Sequence, residues 1–202
     1  IRGYGSFKRK ATGTNSTTAA WIVDFSKNNN PQDIKHVFFA ESAYDIMAFY
    51  QANKAKLQGE LDKSVFVSIG GTFSNQQVAG IMNYYSHARA VDCFDNDIPG
   101  RIYGMRMVGV VEKVHLSINL HDKMIDVNYN GVTHILDAET ANLHSLRSII
   151  PFKREYGIEK APAAFKDWND VIQNKPSTII LSKNKYERDE NLRERRTGGI
   201  KM

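Results

Sequence analysis

A single cysteine, Cys93, excludes any disulfide framework within this chain and any zinc site built from several thiolates. It lies inside an apolar run, where buried filler and a reactive thiol are the competing readings. The six histidines, His36, His87, His115, His121, His134 and His144, show no HExxH or similarly close ligand spacing, so the imidazole route to zinc has no support either. There is no run of eighteen apolar residues, and the opening "IRGYGSFKRK" lacks the hydrophobic segment of a secretory signal. The chain therefore reads as cytoplasmic, with no membrane partner. Its first residue is Ile1 rather than Met, as expected for a piece of a longer polypeptide. Large charge excess is missing as well: 27 Lys and Arg against 22 Asp and Glu give a net charge of +5, which permits a phosphate-rich partner without requiring one.

The 202 residues, 42% of them apolar, suffice for one elaborated domain with a full core. "HVFFA" at 36–40 and "SVFVSIGG" at 64–71 are short apolar runs, and each is followed by apolar residues at helical spacing. "RAVDCF" at 89–94 is a third strand, after which Pro99 and Gly100 open a helix through about Lys113. Strands alternating with helices predict an α/β fold: a Rossmannoid parallel sheet with helices on both faces. "SFKRKATG" and "TAAWIVDF" predict N-terminal antiparallel strands over 1–35, packed on a core domain of 36–181. "VHLSINL" is a further strand, and Asn130-Gly131 between alternating stretches predicts a β-hairpin insertion at about 114–137. "NLHSLRSIIPFKREYG" reads as a helix running into a loop. From Ser182 to the end, seven basic and four acidic residues with few large apolar ones predict a basic flexible tail, with a nucleic-acid arm as the alternative.

In parallel sheets, ligands bind beyond the carboxyl ends of the strands. Glu41, Gly70, Gly71, Asp95 and Asp97 all fall there. Two aspartates one residue apart repel if both stay ionised, unless a cation or water separates them. Hard oxygen ligands with open positions suit Mg²⁺, which keeps waters and takes substrate phosphates. Taken singly, each of these residues has a plainer account: an exposed turn for Asp95 and Asp97, a helix-start acid for Glu41 and Asp45, and a tight turn for the glycine pair.

As an ordered set they are more specific. Glu41-Ser-Ala-Tyr-Asp45, Ser68-Ile-Gly-Gly71 and Asp95-Asn-Asp97 with Gly100 resemble the Toprim domain of bacterial primases, topoisomerases and related nucleases, over roughly residues 36–113. Lys166-Asp167-Trp168-Asn169-Asp170 resembles a further acidic motif of primase-type members, and "DNDIPGR" with "KDWND" looks most like the Toprim proteins of mobile-element primases. The resemblance implies Glu41 as general acid or base and Asp95, Asp97 and Asp167 as ligands of Mg²⁺, with Mn²⁺ as an alternative. Lys166 would contact phosphate, and Asp45, Gly70, Gly71, Gly100 and Asp170 would support the site. The implied activity is nucleotidyl transfer on DNA. Single-stranded template, nucleotides and other replication or mobilisation proteins would be its partners. Phosphodiester hydrolysis with the same acids and non-catalytic nucleic-acid binding are the rivals, whereas the chain is too short for a topoisomerase gate. Near the N-terminus, Lys8, Arg9 and Lys10 interleave with Tyr4 and Phe7, a mixture suited to nucleic acid and equally to a lysine-protected sheet edge.

Overall fold

A computed structural model describes residue 13, residues 15–28 and residues 30–177. Lys8, Arg9, Lys10 and the tail from Ser182 lie outside the described residues. At the centre are β2 (His36–Ala40), β3 (Ser64–Ser68) and β4 (Arg89–Asp92), which pair in parallel. Their residues are buried almost without alternation, as in strands covered on both faces. β1 (Trp21–Asp24) and β8 (Tyr156–Ile158) complete a five-stranded sheet in the order β1-β3-β2-β4-β8. β1 runs antiparallel to β3, and β8 runs parallel to β4. Of the predicted N-terminal pair, the described part is this one edge strand, and its partner is the core sheet.

Alternate residues of the strands feed two cores. Phe38 and Phe66 pack with Ile46 and Phe49 of α1 (Ala43–Leu57) and with Trp168 of α5 (Trp168–Gln173). On the other face, Val37, Phe39, Val65 and Val67 meet Val78 and Met82 of α2 (Asn75–Tyr84), together with Met105 and Val108 of α3 (Ile98–Val111). The short α4 (Leu143–Arg147) adds Leu143 and Leu146 to this second core. Helices thus cover both faces. Cys93 is buried in the first core, and burial pushes its thiol pKa well above the usual value, as suits inert filler.

The insertion is a three-stranded antiparallel meander of β5 (Leu116–His121), β6 (Met124–Tyr129) and β7 (Val132–Asp137). "VHLSINL" therefore pairs with the hairpin. Asn130 and Gly131 both take positive φ, 51° and 78°, which a two-residue hairpin turn of this hand needs. Ile118, Ile125 and Val127 bind the meander to the α2–α3 core. Where the chain leaves α3, the buried Glu112 carboxylate accepts hydrogen bonds from the backbone N–H of Lys153 and of Arg154, both 3.0 Å, and from the Tyr156 hydroxyl at 2.7 Å. The departing and returning chain are clasped at one buried charge. Among the described residues no helix is long and apolar enough to cross a membrane.

Candidate metal centre

Three loops at the carboxyl end of the sheet meet here. The first follows β2. Ser42 caps α1: its hydroxyl accepts from the Asp45 backbone N–H at 3.2 Å and donates to the Asp45 carboxylate, which is thereby oriented by its own helix start. The Glu41 carbonyl accepts from the Gly71 N–H at 2.9 Å, so the loop after β3 closes on the loop after β2. Gly70 and Gly71 make that closure with φ of 72° and 85°, in the left-handed region that favours glycine.

The second loop follows β4. Asp95 is buried, and Asp97 caps α3, its Oδ1 accepting from the Gly100 N–H at 2.9 Å. A Cβ on Gly100 would stand 2.3 Å from the Asp95 carbonyl oxygen. Gly100→Ala is therefore expected to destabilise the protein by about 1–3 kcal/mol, as overpacking does, and to displace Asp95. Thermal melting beside a calorimetric Mg²⁺ titration checks this; wild-type values in both would refute it.

The third loop leads into α5. Asp167 caps that helix, accepting from the Asp170 N–H at 2.7 Å, so Asp170 supports the site through its backbone. Asn96 fastens the second loop to the third. Its side-chain amide donates to the carbonyls of Ala161 (2.9 Å) and Phe165 (2.8 Å), and its backbone N–H donates to the Lys166 carbonyl (2.7 Å). Trp168 is packed: it is buried edge-on to Phe49, and its Nε1–H donates to the Glu159 carbonyl at 3.1 Å.

The result is one cluster. Carboxylate oxygens of Asp45, Asp95 and Asp167 lie within 4.8 Å of one another. Lys166 Nζ bridges Asp95 and Asp97, 3.2 Å from each. Burial pushes the Asp95 carboxyl up to about 7, helped by the charges of Asp45 and Glu41 and opposed by Lys166. Burial likewise raises Asp45, with the nearby Asp167 adding to it and Ser42 opposing it. For Lys166 burial acts downward, but Asp95 and Asp97 together hold its pKa above the usual lysine value. The buried Oδ1 of Asp95 has no hydrogen-bond partner among the described residues. Three converging carboxylates, one carrying an unsatisfied buried oxygen, are a donor set that fits a hard divalent cation such as Mg²⁺.

The structure thus gathers Glu41, Asp45, Asp95, Asp97, Lys166 and Asp167 at one end of the sheet. Asp45, which the sequence casts as a supporting acid, stands inside the carboxylate cluster, whereas Asp97 faces Lys166 and its own helix. Asn96 carries no role in the sequence reading, and an Asn between two aspartates gives little signal. Asp92 was equally silent. It is buried within β4, and Lys160 Nζ donates to its Oδ1 at 2.6 Å and to the Phe94 carbonyl at 3.0 Å, bracing the turn that carries Asp95. Burial raises the Asp92 pKa against the pull of Lys160.

Residues 38–130 match a family model described as Toprim-like. No curated protein and no solved structure matches the chain. The matched span includes Glu41, Asp45, Asp95, Asp97 and Gly100 and ends before Lys166 and Asp167. Toprim domains generally bind Mg²⁺ and act on nucleic acids, and the acidic cluster is consistent with metal binding.

Proposed function

We propose that the Toprim-like region of residues 38–130, completed by Lys166 and Asp167, performs Mg²⁺-dependent nucleotidyl transfer on DNA as the catalytic part of a primase-type replication or mobilisation protein. The observation that carries this reading is the carboxylate cluster with the orphaned Asp95 oxygen, set beside Glu41. The likeness of "DNDIPGR" and "KDWND" to mobile-element primases supports the choice of reaction. Asp45, Asp95 and Asp167 would hold the metal. When bound, Mg²⁺ supplies charge that neutralises phosphate oxygens and polarises the phosphoryl group. Lys166, kept protonated by its two aspartates, offers a point charge to an incoming phosphate. Glu41 takes the proton of the attacking 3′-hydroxyl as the new O–P bond forms and the bond to pyrophosphate breaks.

The test is incorporation of labelled nucleotide on single-stranded DNA in Mg²⁺ or Mn²⁺, with a chelator control and the Asp167→Asn variant. Incorporation that needs the metal and disappears in the variant is expected. Incorporation that persists in chelator would overturn the reading, and strand scission without incorporation would replace it with hydrolysis.

A further inference from the structure

On the face of the sheet opposite α1 and α5, a cleft of about 750 Å³ lies between α2, α3 and the first strand of the meander. It opens at Asn75, the first residue of α2, just after the Gly70-Gly71 loop that closes against Glu41. A second hollow of about 380 Å³ shares Ala79, Val110 and Lys113 with it and continues along α2 to Ser86 and Arg154. The two make a trough along the whole length of α2, about 15 Å at 1.5 Å per residue. From the lining of both, we infer that this trough is a track for the sugar-phosphate backbone of a single nucleic-acid strand, leading to the carboxylate site.

Charge is the first ground. Arg106, Lys113 and Arg154 line the trough, His115 joins them, and no carboxylate does. None of the three fixed cations forms a salt bridge with a described residue. Arg106 reaches only the Ile118 carbonyl, at 3.5 Å, and the nearby Glu112 is buried with its oxygens already taken. Lys113 lies at the C-terminal end of α3, where a cation complements the helix dipole, yet its side chain stays exposed and open to a phosphate. The second ground is what the lining omits. It contains no Phe, Tyr or Trp, the large rings on which successive bases usually stack, which favours contact with phosphates over readout of bases.

This inference rests on the reading that the protein acts on nucleic acid, and equilibrium binding tests it without turnover. Fluorescence anisotropy would be measured with DNA and RNA single strands of one sequence, in chelator, between 50 and 200 mM salt. The variant Lys113→Asn/Arg154→Gln removes two trough charges at exposed positions, and Asn tolerates the positive φ of 56° at residue 113. Lys54→Gln/Lys175→Gln removes the same charge from the α1–α5 side. Each lost phosphate contact lowers the salt slope by about 0.7, so the trough variant should lose about 1.4 in slope and bind about 25-fold more weakly near 0.1 M salt. The control should keep the wild-type slope. That pattern with either strand supports the trough, and the tighter strand identifies its occupant. Equal losses in both variants, or none in the trough variant, would overturn it while leaving metal-dependent transfer intact. Wild-type protein that binds neither strand would overturn both.

Discussion

Glu41→Gln is expected to lower nucleotidyl transfer about 10²- to 10⁴-fold, the usual worth of a general acid or base, while Mg²⁺ and DNA bind nearly as in the wild type. The substitution keeps size and hydrogen-bonding capacity but cannot exchange a proton. Glu41 stands at the end of β2, its carbonyl held by the Gly71 N–H, so the backbone geometry should survive the change. Its charge reaches the cluster, because it helps to raise Asp95, but it is outside the three carboxylates that converge within 4.8 Å. A ligand and a proton carrier therefore separate by titration: the deficit should persist at saturating Mg²⁺. Full recovery with added metal would make Glu41 a ligand, and an undiminished rate would leave it a helix-start acid.

The second large effect is a pH dependence centred on Asp95. In metal-free protein this carboxyl keeps its proton up to about pH 7, whereas in the unfolded chain it releases it near the ordinary 3.8. Between those values the folded state binds more protons than the unfolded state, so stability falls as pH rises from about 4 to about 7 and then levels. The raised Asp45 adds in the same direction. Mg²⁺ must displace the Asp95 proton, so its apparent affinity should rise about tenfold per pH unit until about pH 7. Asp95→Asn abolishes the proton competition and most of the metal affinity. Removing a buried charge that Asp45 and Glu41 repel outweighs the lost ion pair with Lys166, so the Tm of the metal-free protein at pH 8 should rise. Melting curves in chelator and calorimetric Mg²⁺ titrations from pH 5 to 8 decide this. A flat wild-type Tm together with a pH-independent Mg²⁺ affinity would remove Asp95 from the metal centre.

The parts of the fold that were legible in the sequence are those whose physics is local. The β2 and β3 runs carry enough β-branched and aromatic side chains to announce themselves, and Asn130-Gly131 specifies its turn through two positive φ values. β8 was not legible. "YGI" is three residues long with a central glycine, and it is a strand only because β4 offers it an edge; a Cβ on Gly157 would press within 2.9 Å of Val91. The same limit applies in the site. The spacing of Asp95 and Asp97 puts both after one strand, but which carboxylate turns inward depends on Asp97 capping α3 and on Lys166 arriving from a distant segment. Asp45 enters the cluster through the Ser42 cap, a local motif whose direction only the packed sheet defines.

The clasp at Glu112 bears on how such a chain can change. The two ends of the excursion that carries the meander are joined by a carboxylate and a backbone N–H, 41 residues apart in sequence. Closing a flexible loop costs only about 0.6 kcal/mol more for each doubling of its length. Added length at the β5–β6 or β6–β7 turn therefore still lets β8 return to β4 from the Glu112 clasp, with the spacing of Asp95 and Asp167 set elsewhere. The turns of the meander can thus vary in length while Ile118, Ile125 and Val127 keep its strands on the core.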